Sequence, residues 1–411
     1  MMRFPKRLPA VGRVFGYWRA ERRTIRHGLV ALVVATGGNV VAGISLGAIS
    51  TTLERIPGLL ILLPAAIAMR GSIFGALSSR LGTSIHAGLF EPTRRRQGAV
   101  VQNVLAAAVL TVTISWALGL LAKGVSMVFG IRGAPLVDLM VISVLGGLLS
   151  SVVVGSLAVA LAIAAHRRSW DLDSVGAPLI TAVGDMVTIP ALYIATFATS
   201  RFVTPFIAVV LTLGTAVVTW RGIRTRLAAA RRTIRESIPI LLGTSVLTLI
   251  AGVAMEARIE QFLVFPAVLA LVPPLLADAG ALGALLSSRL ASKLHLGAIQ
   301  PRAFPEGLAW LDGSIVLLFG TWLFALLGIA VHFVATALGL GSPGLVQLMG
   351  VSMIAGMGAS AIAVLVAYST AVATFRIGLD PDTHSIPIIT SAMDFVGVIA
   401  LTVALVAVGL T

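Results

Sequence analysis

The same arrangement of residues occurs twice in this chain, and the two occurrences lie 209 residues apart (394 − 185 = 209). Several basic residues, prolines and aspartates keep this offset without a gap. The matched pairs are Arg22 and Arg231, Pro64 and Pro273, Arg80 and Arg289, His86 and His295, Asp173 and Asp382, Pro178 and Pro387, Thr181 and Thr390, and Asp185 and Asp394. The sequence therefore predicts two copies of one structural unit.

Each copy contains five apolar runs of roughly 20 residues or more, the length that a helix needs to cross a bilayer. The chain is 58% hydrophobic and only 11% charged, whereas soluble domains carry about 25% charged residues. These features predict an all-α polytopic membrane protein with about 11 spans. The runs lie near 28–53, 57–81, 99–130, 135–165 and 175–199, then 202–220, then 237–255, 262–291, 308–338, 343–374 and 384–410.

The run at 202–220 belongs to neither copy and decides their relative orientation. Five spans are an odd number, so a direct fusion would invert the second copy, and one extra span restores its direction. With the N-terminus inside, 24 basic residues fall on the inner side and 5 on the outer side, as the positive-inside rule requires. We therefore expect two parallel five-helix repeats joined by one extra transmembrane helix. The expected location is the cell membrane, with the N-terminus cytoplasmic and the C-terminus outside.

The expected organisation has four parts: a basic N-terminal segment (1–27), the first repeat (28–200), a linker transmembrane helix with a basic loop (201–230), and the second repeat (231–411). The N-terminal segment lacks the apolar core of a signal peptide and is expected to lie along the inner membrane surface as a short amphipathic segment. The net charge of +14 is spread over short clusters between spans, so nucleic acid is not an expected partner. The absence of cysteine excludes disulfides and thiolate metal ligands.

One aspartate lies well inside the last span of each repeat, at Asp185 and Asp394. An ionised carboxylate in hydrocarbon costs several kcal/mol unless it faces a cavity, a partner or an ion. A dication about 5 Å from a carboxylate gains roughly 7 kcal/mol at an effective dielectric of 20, enough to offset much of that cost. Mg²⁺ prefers oxygen ligands and is usually held by one or two carboxylates. We therefore predict one cation site formed by both aspartates, with Thr181 and Thr390 one turn earlier bonding the ion's waters.

Several short motifs, taken together, resemble a known family. They are Asp171-x-Asp173 with Pro178 and Gly184-Asp185, Pro64 with Arg70-Gly71, and Ser79-Arg80-Leu81-x-Thr83. The second repeat is similar at Gly280, Ser288-Arg289-Leu290, His295, Asp380-x-Asp382, Pro387 and Asp394. This pattern resembles the solute carrier family 41 magnesium transporters, fused two-repeat relatives of the bacterial MgtE transporters. The resemblance implies a divalent-cation path lined by the second and fifth helices of each repeat, with the fifth-helix aspartates as the main site. It also implies that one chain forms the complete pseudo-dimeric pore, so a monomer is expected.

The chain departs from that pattern in two respects. Ser72 and Ala281 follow the glycines of the second helices, where the family usually has asparagine, so the polar lining is expected to be thinner. Only about 27 residues precede the first span, so the cytosolic sensor domains typical of MgtE are not expected.

Each repeat carries one charge that the other lacks. Arg70 corresponds to Ala279, and Asp278 corresponds to Met69. One interpretation is an ion pair across the axis between the repeats that could gate the path. The alternatives are that each charge is satisfied separately, or that Asp278 is a cation ligand. Asp173 and Asp382 are interpreted first as N-caps and second as ligands of a cytosolic cation site.

Rival functions remain at this stage. Intramembrane aspartyl proteases also use two membrane-embedded aspartates, but they need Gly-x-Gly-Asp, whereas this chain has Ala182-Val-Gly-Asp185 and Ser391-Ala-Met-Asp394. The protease is therefore a remote alternative. Within transport, a channel and a Na⁺- or H⁺-coupled exchanger that uses the same site both stay open. The cation would be the transported substrate, and no organic cofactor is expected.

Overall fold

The computed structural model describes residues 10–410 apart from 87, 89, 91–97, 132, 169–171, 306, 379 and 380. The secondary structure of these residues consists of α-helices without strands. Eleven of the helices are long and apolar enough to cross a membrane, which confirms the predicted class and number of spans. The helices are α1 (Ala10–Ala20), α2 (Arg22–Ala48), α3 (Ser50–Arg55), α4 (Leu59–His86), α5 (Ala99–Val128), α6 (Leu136–Arg168), α7 (Leu172–Thr196), α8 (Thr204–Ile223), α9 (Ala228–Glu256), α10 (Ile259–Leu263), α11 (Pro266–His295), α12 (Leu308–Ala337), α13 (Leu345–Arg376) and α14 (Pro381–Val408).

The helices form two compact units whose boundaries do not follow the sequence repeats. Unit 1 comprises Met1–Gly37, Pro274–Phe333 and Pro343–Thr411. Unit 2 comprises Gly38–Pro273 and Val334–Ser342. The boundaries divide α2, α11 and α12, and they assign α9 of the second repeat to the unit that holds α4 to α7 of the first.

An exchange of first helices between the repeats explains this division. In unit 2, α9 packs against α4 and α5 of the other repeat, and a methyl group on Gly252 would lie 2.3 Å from the carbonyl oxygen of Ile61. In unit 1, the beginning of α2 packs against α11 and α12: a methyl group on Gly28 would lie 3.3 Å from the ring of Phe319. Each first helix thus contacts the second and third helices of the other repeat.

The third and fourth helices of the two repeats pack in the same register. In unit 2, the Ser143 hydroxyl of α6 donates to the carbonyl oxygen of Ser115 in α5 at 2.6 Å. In unit 1, the equivalent Ser352 of α13 donates to the carbonyl oxygen of Phe324 in α12 at 2.7 Å. Small residues bring helices close together where no hydrophobic effect drives association, and these buried serines fix how far one helix slides along the other.

Candidate functional site

The second and fifth helices of the first repeat meet at glycines. In unit 2, a methyl group on Gly71 of α4 would lie 3.1 Å from Cγ2 of Thr181 in α7, and one on Gly75 would lie 3.5 Å from its Oγ1. The missing side chains therefore let α7 approach α4 closely at Thr181. Asp185 follows one turn later on the same face of α7, and it is buried, with 4% of its surface exposed.

The second repeat builds the same contact in unit 1. A methyl group on Gly280 of α11 would lie 3.5 Å from Cγ2 of Thr390 in α14. The Thr390 hydroxyl donates to the carbonyl oxygen of Pro387 at 3.1 Å, and Pro387 lies inside α14. Asp394 again follows one turn later and is half-buried. Each predicted threonine–aspartate pair therefore lies on a fifth helix packed against a second helix.

Asp185 belongs to unit 2 and Asp394 to unit 1, so their convergence on one ion stays a prediction.

The remaining predicted site residues are described in part. Ser72 is half-buried in α4. Asp173 and Asp382 lie near the starts of α7 and α14, but their side chains are outside the described residues. Among the residues that the structure describes, no three His, Asp or Glu side chains gather into one metal site.

Arg70 is almost wholly buried, with 1% of its surface exposed. In unit 2 its Nη1 donates to Oγ of Ser151 in α6 at 2.7 Å, and its Nη2 donates to Oγ of Ser115 in α5 at 3.1 Å. These serines were missed in the sequence because isolated serines are common in apolar helices. In the second repeat, Phe324 is at the position of Ser115.

Asp278 is equally buried, with 1% exposed, and lies in unit 1. The hydroxyl of Thr36 in α2 is 2.9 Å from Oδ2 of Asp278 and equally close to the carbonyl oxygen of Leu32. Arg70 and Asp278 thus each have polar partners within their own unit. The predicted ion pair between them stays a prediction.

A second polar cluster in unit 1 was not predicted. Asp312, fully buried at the beginning of α12, accepts hydrogen bonds from Tyr17 of α1 at 2.7 Å and from Arg289 of α11 at 2.9 Å. Lys293 of α11 also pairs with Asp312. The N-terminal segment therefore packs on the protein through Tyr17, in addition to exposing Phe15. The first repeat has Asn103 at the position of Asp312, where it accepts from Arg80 at 2.8 Å.

Comparison with known proteins matches both repeats. The family model MgtE, described as a divalent cation transporter, matches residues 63–195 and 272–404. Both ends of the second match lie 209 residues after those of the first (272 − 63 and 404 − 195). Each match runs from the second helix to the fifth, so it contains the Gly–Thr–Asp arrangement described above.

Curated relatives are similar over much of the chain. Solute carrier family 41 member 2 of Homo sapiens is 22% identical over 295 residues, which cover 68% of this chain and 50% of that protein. Solute carrier family 41 member 3 of Mus musculus is 23% identical over 370 residues, 84% of this chain and 74% of that protein. The matched part of the chain spans about half the length of the member 2 proteins.

No solved structure matches the chain. The family resemblance noted in the sequence is confirmed, and the protease alternative is dropped because the family consists of transporters. With both repeats matched over more than half of its length, this multi-pass membrane protein belongs to the MgtE family of divalent cation transporters.

Proposed function

We propose that this chain transports Mg²⁺ across the cell membrane along a path between its two repeats, and that Asp185 and Asp394 bind the partly or fully hydrated ion. The observation that carries the proposal is the duplicated arrangement of glycine, threonine and aspartate. In both repeats a glycine of the second helix contacts a threonine of the fifth, and the aspartate follows four residues later. Two carboxylates favour a dication over a monovalent cation, because the attraction to each scales with the ion's charge.

The threonines complete the proposed site. Their hydroxyls lie one turn from the carboxylates on the same helix face. Because Mg²⁺ gives up its water reluctantly, hydroxyls that bond coordinated water suit it better than a closed cage of carboxylates would. The proposed orientation has the N-terminus in the cytoplasm and the C-terminus outside, in keeping with the distribution of basic residues.

The test is flux into liposomes that contain a magnesium indicator and the purified chain. Asp185→Asn and Asp394→Asn are each expected to lower Mg²⁺ flux at least tenfold, a loss of about 1.4 kcal/mol. The double variant should be little worse than either single variant, because residues that act as one unit are not additive. Normal flux through either folded single variant would refute a shared site.

Asp138 provides a matched control. It is a carboxylate in the first turn of α6, but the second repeat has Gln347 at that position, so it is not duplicated. Asp138→Asn should therefore leave flux near that of the unmodified protein.

A Na⁺- or H⁺-coupled exchanger that uses the same two aspartates is the second candidate. Its motivation is the pair of carboxylates itself, which could exchange a dication for protons. Flux that depends only on the Mg²⁺ gradient, at equal pH and Na⁺ on both sides, supports uncoupled passage. Flux that requires a Na⁺ or H⁺ gradient supports the exchanger.

A further inference from the structure

Arg70 is a buried cation whose hydrogen-bond partners are neutral. Its two described partners are the hydroxyls of Ser115 and Ser151, and its Nε has none. Among the described residues of unit 2, no carboxylate forms an ion pair with it. Hydroxyl groups orient the guanidinium, but they do not neutralise its charge. A charge kept inside a membrane protein at this cost is a candidate functional group.

The second repeat fills the equivalent space with a benzene ring. Ser115 corresponds to Phe324 and Arg70 to Ala279, while glycine is kept opposite them, at Gly147 and Gly356. A methyl group on Gly147 would lie 2.7 Å from Nη2 of Arg70. One on Gly356 would lie 2.0 Å from Cγ of Phe324. The same glycine-lined space therefore holds a guanidinium and a hydroxyl in one repeat, and an aromatic side chain in the other.

Packing does not explain the choice of a charge. The helices around the two spaces are in the same register, since Ser143 and Ser352 donate to the equivalent carbonyl oxygens of Ser115 and Phe324. A second pair of contacts agrees: a methyl group on Gly119 would lie 2.6 Å from Cα of Met140, and one on Gly328 would lie 2.7 Å from Cα of Met349. An alanine and a phenylalanine satisfy this geometry without burying a cation.

The Arg70 side chain starts beside the segment that carries the aspartate of its own repeat, and its guanidinium extends toward α5 and α6. A methyl group on Gly184, the residue before Asp185, would lie 3.6 Å from Cβ of Arg70. Gly71, the residue after Arg70, contacts Thr181, which is one turn from Asp185. Arg70 and Asp185 therefore belong to one contact between α4 and α7, where burial keeps the effective dielectric low and charges act strongly on each other.

We propose that Arg70 is a fixed internal cation that weakens the binding of divalent ions at Asp185 and so speeds their release. The proposal rests on the function proposed above and adds a residue that sets the affinity of the site. A dication is repelled twice as strongly as a monovalent cation. Doubling an energy squares the corresponding fold-change in affinity. If Arg70 lowers the affinity for a monovalent cation by a given factor, it is therefore expected to lower the affinity for a divalent cation by the square of that factor.

The experiment transplants the residues of one repeat into the other and measures binding without transport. Arg70→Ala with Ser115→Phe gives the first repeat the pair found in the second, which removes the charge and keeps the volume. Ala279→Arg with Phe324→Ser makes the reverse exchange. Mg²⁺ binding is measured by titration calorimetry on the purified chain in detergent, and Na⁺ binding by its competition with Mg²⁺.

The first variant is expected to bind Mg²⁺ roughly tenfold more tightly and Na⁺ roughly threefold more tightly, and the second should bind Mg²⁺ more weakly. Arg70→Lys, which keeps the charge, should resemble the unmodified protein more than the neutral variant does. Arg80→Gln is the matched control, since it removes a charge ten residues further along α4, about 15 Å away, and should change Mg²⁺ affinity by less than about twofold.

Unchanged or weaker Mg²⁺ affinity in the folded Arg70→Ala, Ser115→Phe variant would overturn the proposal. Equal fold-changes in the affinities for Mg²⁺ and Na⁺ would also overturn it, because they would indicate that the substitutions altered the shape of the site and not its charge. If neither transplant folds, Arg70→Gln is titrated in their place. Failure of every neutral variant to fold would assign the guanidinium to folding and overturn a role in affinity.

Titration of Asp185→Asn in parallel distinguishes failure of this proposal from failure of the proposed Mg²⁺ site on which it rests. If Asp185→Asn leaves Mg²⁺ binding unchanged, the proposed ion site itself is wrong. If it abolishes binding while the transplants have no effect, the site stands and only the role of Arg70 fails.

Discussion

Asp312→Asn should destabilise the protein, although the first repeat has asparagine at the same position. Asp312 is fully buried and accepts hydrogen bonds from the Tyr17 hydroxyl at 2.7 Å and from the guanidinium of Arg289 at 2.9 Å. It also pairs with Lys293. Asn103 accepts one hydrogen bond from Arg80 at 2.8 Å, so an amide fits at this point of the fold. The substitution in unit 1 therefore keeps the shape, removes the negative charge and replaces one accepting oxygen with an NH₂ donor.

The exposure of the two cations sets the size of the effect. The side chains of Arg289 and Lys293 are 17% and 21% exposed, while that of Asp312 is 0% exposed. Breaking a buried ion pair costs about 3–5 kcal/mol, and breaking an exposed one costs about 0–1 kcal/mol. Asp312 is buried but its two cationic partners are partly solvated, so the cost of removing its charge should fall between these limits. We expect Asp312→Asn to lower the free energy of unfolding by about 2–3 kcal/mol.

Tyr17 couples α1 to the same carboxylate. Burial is the main cause that raises the pKa of the Tyr17 phenol above its ordinary value, so at neutral pH the hydroxyl stays protonated and donates to Asp312. Tyr17→Phe removes a hydrogen bond to a charged group, a loss of about 1.5–3 kcal/mol. Tyr17→Phe and Asp312→Asn should be less damaging together than the sum of their separate effects, since each weakens the same contact.

The assay is reversible unfolding of the purified protein in mixed micelles by increasing fractions of a denaturing detergent. Arg232→Gln is the control, because its ion pair with Glu236 joins side chains that are 79% and 61% exposed, and its loss should cost less than about 0.5 kcal/mol. If Asp312→Asn costs no more than this control, the argument from burial is wrong. If its effect adds fully to that of Tyr17→Phe, α1 is not held through Asp312.

Two further predictions use the same unfolding assay, and a third uses intact cells. Glu256→Ala should cost about 1–3 kcal/mol in the unfolding assay, because the backbone N–H of Gly58 donates to its carboxylate at 2.8 Å, and Glu256→Gln should cost less because the amide oxygen still accepts. Ser143→Ala and Ser352→Ala should cost similar amounts, about 0.5–1.5 kcal/mol each, since the two serines make equivalent bonds in the two repeats; a large difference would contradict the shared register. In the cysteine-free chain, a single cysteine at Arg201 should react with an impermeant reagent from outside the cell while one at Arg232 should not, and the opposite result would refute the proposed orientation.

The spans could be predicted from the sequence because a bilayer imposes a length and a composition on each helix. The pairing of second and fifth helices was available only through the family resemblance, and the glycines at Gly71 and Gly280 show why it forms. Close approach of two helices in lipid needs small residues, but glycine is frequent in this chain, with 42 copies. A glycine in the sequence therefore does not identify the helix that packs on it.

The partners of the buried charges were harder to predict. Arg70 suggested a carboxylate partner, which stays a prediction, and the structure describes two hydroxyls from its own unit that the sequence did not suggest. Likewise, Asp312 and Tyr17 are 295 positions apart in the chain, and neither pattern nor periodicity relates them. Comparison of the repeats shows Phe324 at the position of Ser115 and Asp312 at that of Asn103, but most positions of these two helices differ, so the comparison does not single them out.

The exchange of first helices leads to a prediction about fragments of the chain. A fragment 1–223 contains all five spans of the first repeat but lacks α9, which packs against α4 and α5 in unit 2. Without α9, the buried Ala106 and Val109 of α5 lose their contacts with Ala230 and Ile234. The backbone N–H of Gly58 also loses the Glu256 carboxylate. Lipid covers apolar side chains readily, so the main losses are close packing and hydrogen bonds.

Fragment 1–223 should therefore accumulate poorly in membranes, and co-expression with fragment 224–411 should restore it as a complex. Fragment 1–258, which adds α9, should be more resistant to protease and to denaturing detergent than fragment 1–223, although it contains only one helix of the second repeat. Equal resistance of the two fragments would mean that α9 does not stabilise the first repeat, and the exchange would then be without energetic consequence. A clear difference would mean that the duplicated unit of the sequence is not the folding unit, because the first repeat needs the first helix of the second.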